Sequence, residues 1–166
     1  MRCASVLSHE VTLWSIDPRH SGSSHRDERA CADAPGESTL AQPTDVMLVR
    51  VAGELAEIQR AWAAFESVVG LHGRKLYGAF DPVTATYSAC AVLHPGDDPA
   101  VFGAERGTLP GGRYACVRLH GEPPAAYEQI GPTARRLAQR PDADRTRPTL
   151  EYYHGRGVID VLGPIV

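Results

Sequence analysis

Apolar residues recur along this chain at two different periods. Over residues 46–51, 75–80, 86–93, 114–119, 148–154 and 158–165, β-branched and aromatic side chains alternate or run together, and each stretch reads as a strand. A further short strand is expected over residues 11–16, closed by the turn signal Asp17-Pro18. Over residues 54–69 the period changes: Leu55, Ile58, Trp62, Phe65 and Val68 return at spacings of three and four, which predicts an amphipathic helix stopped by Gly70. Ala126, Tyr127, Ile130, Ala134 and Leu137 give a second, weaker helical face. It begins after Pro123-Pro124 and is kinked or split at Gly131-Pro132. Residues 20–44 are small, polar and punctuated by Gly and Pro, so they read as a long surface loop, the least ordered part of the chain or a lid over it.

The order strand, helix, strand, strand therefore occurs twice. A near-repeated hexapeptide marks the start of both copies: Val49-Arg50-Val51-Ala52-Gly53-Glu54 returns as Val117-Arg118-Leu119-His120-Gly121-Glu122. The expected architecture is α+β, with one domain over 1–166 built from a β-α-β-β module at 44–94 and a second at 112–166, and the 20–44 loop as an insertion. A seam between two related halves is a natural place for a small-molecule cleft. Laying residues 75–80 over residues 149–154 makes Tyr77 and Glu151 symmetry mates, both directed at that cleft.

Composition removes several function classes. A net charge of -3 leaves no basic surface for nucleic acid, and the arginines at 135, 136, 140, 145 and 147 are interleaved with Asp142 and Asp144, as in a solvated helix end and loop. Glu10 and Asp17 interrupt the N-terminal region, so neither signal peptide nor membrane span is expected and a cytoplasmic location follows. Cys3, Cys31, Cys90 and Cys116 show no paired spacing. Cys90 and Cys116 lie in apolar strands, and most of the four should be free thiols. The seven histidines are equally scattered, so no metal site and no cofactor is expected. Asp97-Asp98 reads as a solvated acidic pair, and nucleophile elbows, phosphate loops and dinucleotide fingerprints are missing from the sequence.

Glu151 is the outstanding residue. It stands inside Leu150-Glu151-Tyr152-Tyr153, in a strand that alternation makes half-buried, with Glu151 and Tyr153 on one face and Leu150 and Tyr152 on the other. A carboxylate beside an aromatic at i+2 suits two tasks: neutralising a cationic aromatic ligand, or acting as general acid once burial raises its pKa. The bland alternative is an exposed Glu on a solvent face. Tyr77, Tyr87 and Trp62 are candidate aromatic walls, although Trp62 also fits plain core packing and Trp14 favours it.

Gly112-Arg113-Tyr114-Ala115, Pro148-Thr149-Leu150-Glu151-Tyr152-Tyr153 and the closing Val158-Ile159-Asp160-Val161-Leu162-Gly163-Pro164-Ile165 together resemble the GyrI-like family. That family shares its fold with the effector-binding domains of BmrR-type and AraC-type regulators, and this chain resembles a stand-alone member. The resemblance implies tandem β-α-β-β (SHS2-like) repeats related by a pseudo-two-fold axis around a central ligand cleft. It makes Glu151 the cleft-floor carboxylate and, with Tyr77, the catalytic candidate. Tyr153, Tyr87, Trp62 and Tyr152 become ligand-binding candidates. Gly163 before the final Pro and the 20–44 insertion depart from the family pattern.

One branch of the family hydrolyses strained cyclopropanes in DNA-alkylating natural products. The leading expectation is accordingly a detoxifying hydrolase that binds flat aromatic compounds and opens an electrophilic ring. The alternatives are a non-catalytic multidrug-sequestering protein and a gyrase-inhibitor-like interaction protein.

Overall fold

The computed structural model describes residues 36–40, 42–70, 73–155 and 157–166, and it shows one eight-stranded sheet in which every neighbouring pair is antiparallel. The strands are β1 (Gly36–Leu40), β2 (Thr44–Ala52), β3 (Leu76–Asp81), β4 (Thr86–Val92), β5 (Glu105–Leu109), β6 (Gly112–His120), β7 (Thr149–Gly155) and β8 (Val158–Pro164). The helices are α1 (Leu55–Val69), α2 (Ala125–Glu128) and α3 (Ile130–Ala138), with a 3₁₀ turn at Pro99–Phe102. The sheet order is β1-β6-β8-β7-β3-β4-β2-β5. Each half is thus four adjacent strands with its own helical segment, and the halves meet where β7 pairs with β3.

Several sequence expectations change here. The strand expected over residues 11–16 and most of the 20–44 loop lie outside the described residues, but the end of that loop forms β1, an edge strand on β6. Neither β1 nor β5 was expected: Gly36-Glu37-Ser38-Thr39-Leu40 and Glu105-Arg106-Gly107-Thr108-Leu109 lack an apolar stripe, as edge strands do. On α1 the buried stripe is Ala61, Phe65 and Val69, whereas Leu55 and Val68 are exposed. The second helix is split as expected, but the break comes at Gln129, ahead of Gly131-Pro132. Cys90 and Cys116 are both buried; Cys90 is free, whereas Cys116 is disulfide-bonded, which no spacing in the sequence signals.

Chain connectivity forces the sheet to curl. β5 is one edge and β6 lies next to the other, yet only Pro110 and Gly111 join them. The inner face then gathers residues from β2 to β8 into one core, among them Val46, Tyr77, Cys90, Leu109, Tyr114, Leu150 and Leu162. The outer face carries the helices. α1 packs on β2 and β4, burying Met47, Ala89 and Phe65, and α3 packs on β8 and β6, burying Ala115, Val161 and Leu137. Tyr153 joins both of these outer cores.

Arg147 staples the curl shut. Its guanidinium donates to the carbonyls of Gly111 (3.0 Å), Arg113 (3.2 Å) and Ile165 (2.7 Å), pairs with Asp144 at 2.7 Å and lies 5.1 Å from the Tyr114 ring centre. It is therefore not part of a solvated arginine cluster, although Arg135, Arg136 and Arg145 are exposed. Arg147→Ala is expected to destabilise the protein by about 2 kcal/mol, because it removes the donors to the Gly111 and Ile165 carbonyls, while the Arg113 carbonyl keeps the Ile165 N–H. Urea unfolding measures this, and a loss below about 0.5 kcal/mol would contradict the stapling role.

Candidate functional site

Glu151 sits on the outer face of the sheet, on the strand where the two halves meet, and is 9 % exposed. Strand alternation directs Tyr153 to the same face, and Tyr87 reaches it from β4, one strand beyond β3. Both phenols donate to one carboxylate oxygen: Tyr87 Oη to Glu151 Oε2 at 2.7 Å and Tyr153 Oη to the same atom at 2.7 Å. Trp62 on α1 donates its indole N–H to Tyr87 Oη at 3.0 Å. The other carboxylate oxygen, Oε1, accepts no hydrogen bond from the described residues and is not sealed from solvent. The result is a buried acid with one oxygen held and one available.

Aromatic rings fill the seam above it. The Trp62 and Tyr153 ring centres are 5.2 Å apart with planes at 69°, and Tyr127 of α2 approaches Tyr153 at 6.4 Å. Trp62 also meets Phe65 edge-on at 6.3 Å. The row runs from one helical segment to the other across the β7–β3 junction.

Gly78 makes this arrangement possible. It pairs directly with Glu151 across β3 and β7, and a Cβ built on it would lie 2.0 Å from Tyr87 Oη and 2.5 Å from Glu151 Oε2. Its φ is not positive, so the requirement is for space and not for an unusual backbone.

The electrostatics follow from burial. Desolvation pushes the Glu151 carboxyl above the ordinary carboxylate range, while the hydroxyls of Tyr153 and Tyr87 pull it part of the way back. The phenols of Tyr87 and Tyr153 are held well above their usual range, first by burial and then by the Glu151 charge. They stay protonated and act as donors.

The structure therefore brings Glu151, Tyr153, Tyr87 and Trp62 together. It does not bring in Tyr77 or Tyr152. Those two rings stack on each other, 4.7 Å apart and 19° from parallel, on the inner face. The expected equivalence of Tyr77 with Glu151 is off by one residue. Val49 pairs with Ala89 and Val117 with Val161; Ala89 pairs with Gly78 and Val161 with Glu151. The hexapeptide repeat thus makes Gly78 the mate of Glu151, and a one-residue slip sends Tyr77 through the sheet.

A second polar cluster occupies the inner face. Arg118 grips Asp160 through Nε at 2.7 Å and Nη2 at 2.8 Å, and His154 Nε2 lies 2.6 Å from Asp160. Burial alone would raise the Asp160 carboxyl, but hydrogen bonds from Arg118 and His154 prevail and hold it at about 2. Sequence reasoning did not single out this trio. In the loop after β4, Asp97 is likewise not solvated: Arg74 binds it at 2.6 and 3.0 Å and holds its carboxyl far below the usual range. Among the described residues no group of three or more His, Cys, Asp or Glu is placed to hold a metal ion, and no helix is long and apolar enough to cross a membrane.

No protein-family model and no curated protein sequence matches the chain. Solved structures do. An integron cassette protein from the mobile metagenome of Vibrio cholerae superposes with a TM-score of 0.65 at 17% identity, covering 79% of this chain and 95% of that one. SAV2435, solved bound to tetraphenylphosphonium, superposes with a TM-score of 0.56 at 13% identity, covering 80% of this chain and 94% of its own. At these identities the likeness establishes the fold, an α+β domain that fits the GyrI-like resemblance of the sequence.

Proposed function

We propose that this protein binds aromatic, cationic small molecules at the seam between its halves, with Glu151 as the counter-charge and Trp62, Tyr153 and Tyr87 as the surrounding aromatic surface. The carrying observation is the buried carboxylate on the β7–β3 junction, with one oxygen held by two phenols and the other left without a described partner. An anion desolvated in this way gains most from a ligand that brings a diffuse positive charge and apolar bulk together. The rings of Trp62 and Tyr153 part to admit it and then face its cationic centre. The phosphonium carried by the structurally similar SAV2435 is a ligand of this class, and supports the reading.

Trp14 and Trp62 are the two tryptophans of the chain, so a Trp14→Phe protein reports on Trp62 alone. Titration with tetraphenylphosphonium is expected to quench Trp62 fluorescence saturably, with neutral triphenylphosphine oxide at least about tenfold weaker. Equal affinity for the two, or no quenching, would overturn cation binding at this site.

One observation favours a second, catalytic reading. Burial extends upward the pH range over which Glu151 holds a proton. A protonated Glu151 and its phenol neighbours supply what a ring-opening hydrolase needs: a proton for the carbonyl that accumulates charge as water adds to a strained ring. Incubation with a cyclopropane-bearing DNA alkylator, followed by mass spectrometry for the ring-opened hydrate, tests it. Product formed only at the buffer rate would leave binding without turnover.

A further inference from the structure

A second carboxylate flanks the same seam. Glu66 stands one helical turn beyond Trp62 on α1, so the two side chains share a flank of the helix. Contacts settle which way that flank faces: the Trp62 indole donates to Tyr87, and its ring lies against Tyr153 at the junction of the halves. Glu66 is half-buried, and its carboxylate has no hydrogen bond or ion pair with any described residue. Burial lifts its carboxyl to about 7, and no charged side chain among the described residues contributes to the shift. An acid on a helix surface ordinarily stays in water or takes a basic partner four residues away. Glu66 does neither.

The titratable groups facing α1 are few. β2 presents Asp45, exposed at the far edge near Arg106. β4 presents Tyr87, β7 presents Glu151 and Tyr153, and the Pro99–Phe102 turn presents none. Toward the seam, then, the titratable groups that α1 meets among the described residues are acids and phenols. A ligand lying along the row of rings from Glu151 past Trp62 reaches a second negative charge and, among the described residues, meets no positive one.

Building on the cation-binding reading of Glu151, we propose that Glu66 is a second anionic anchor on the flank of the same seam, and that the preferred ligands are dications whose two charged aromatic ends are joined by an apolar span. Glu151 takes the inner charge and Glu66 the outer one. Because Glu66 titrates near neutrality, dication affinity rises with pH as its carboxyl ionises, while binding of a monocation seated on Glu151 does not follow that step.

The probes are tetraphenylphosphonium as monocation and dequalinium, two quinolinium rings joined by a methylene chain, as dication. Calorimetric titration of the whole chain is run with wild type, Glu66→Gln and Glu151→Gln. Glu66→Gln is expected to weaken dequalinium by about tenfold, to remove the part of its pH-dependent rise in affinity that tetraphenylphosphonium does not share, and to leave tetraphenylphosphonium within about twofold. Glu151→Gln weakens both. Equal effects of Glu66→Gln on the two ligands, or none on either, would overturn the second anchor while leaving the Glu151 site standing. Failure of wild type to bind tetraphenylphosphonium overturns the cation site itself, and the second anchor falls with it.

Discussion

Glu151→Gln is expected to weaken binding of an aromatic monocation by about a hundredfold, while a neutral aromatic of similar size changes by less than about threefold. Removing one partner of a buried charge pair costs roughly 2–5 kcal/mol, and about 2.7 kcal/mol corresponds to a hundredfold. Glutamine keeps the shape, and its carbonyl can still accept from Tyr87 and Tyr153, so the aromatic seam persists. Stability responds differently. Burial raises the Glu151 carboxyl above the ordinary carboxylate range, so the folded protein binds this proton more tightly than the unfolded chain does. Its presence therefore lowers stability as pH rises from the unfolded pKa through the raised folded one. Glu151→Gln removes that decline, and its melting temperature should equal or exceed that of wild type at neutral pH. Thermal unfolding across this range measures the difference.

Gly78→Ala is expected to destabilise the protein by about 3 kcal/mol and to break the hydrogen bond between Tyr87 and Glu151. The added methyl would sit 2.0 Å from Tyr87 Oη and 2.5 Å from Glu151 Oε2. Retreat of either atom strains a hydrogen bond, since Tyr87 accepts from the Trp62 indole and Glu151 accepts from Tyr153. Overpacking of this kind costs about 1–3 kcal/mol, and a carboxylate deprived of a donor adds to it. The melting temperature should fall by about 6 to 12 °C. A loss under about 1 kcal/mol in urea unfolding would show that the site relaxes and that Gly78 is not needed for it.

Much of this was legible along the chain. Period-two alternation in Leu150-Glu151-Tyr152-Tyr153 correctly puts Glu151 with Tyr153 and separates Tyr152 from them, because one strand fixes its own faces. The repeated hexapeptide marks two equivalent strands, β2 and β6, which occupy matching places in the sheet order. What sits between strands was harder to read. Tyr77 looks like the mate of Glu151 only if β3 and β7 are laid over each other by eye, and the true register depends on turn lengths and on the irregularity between Tyr153 and Gly155. Gly78 carries no side-chain signal at all; its role exists only once β3 pairs with β7. Glu66 was hidden for the opposite reason, since a glutamate within an amphipathic helix resembles any solvated residue until the neighbouring flank is known. The edge strands β1 and β5 escaped because their sequences are polar and carry no apolar alternation.

If Glu151 carries the charge that receives the ligand, binding is linked to the proton on its carboxyl. A cation that binds the ionised carboxylate must expel the proton that burial favours, so binding tetraphenylphosphonium should release up to one proton per site wherever the free protein still holds that proton, with affinity rising as pH rises through this range. Calorimetry in buffers of different ionisation enthalpy counts that proton. The release should be lost in Glu151→Gln and kept in Glu66→Gln. Binding that releases no proton at any pH in wild type, or the same release in Glu151→Gln, would contradict the role assigned to this carboxylate.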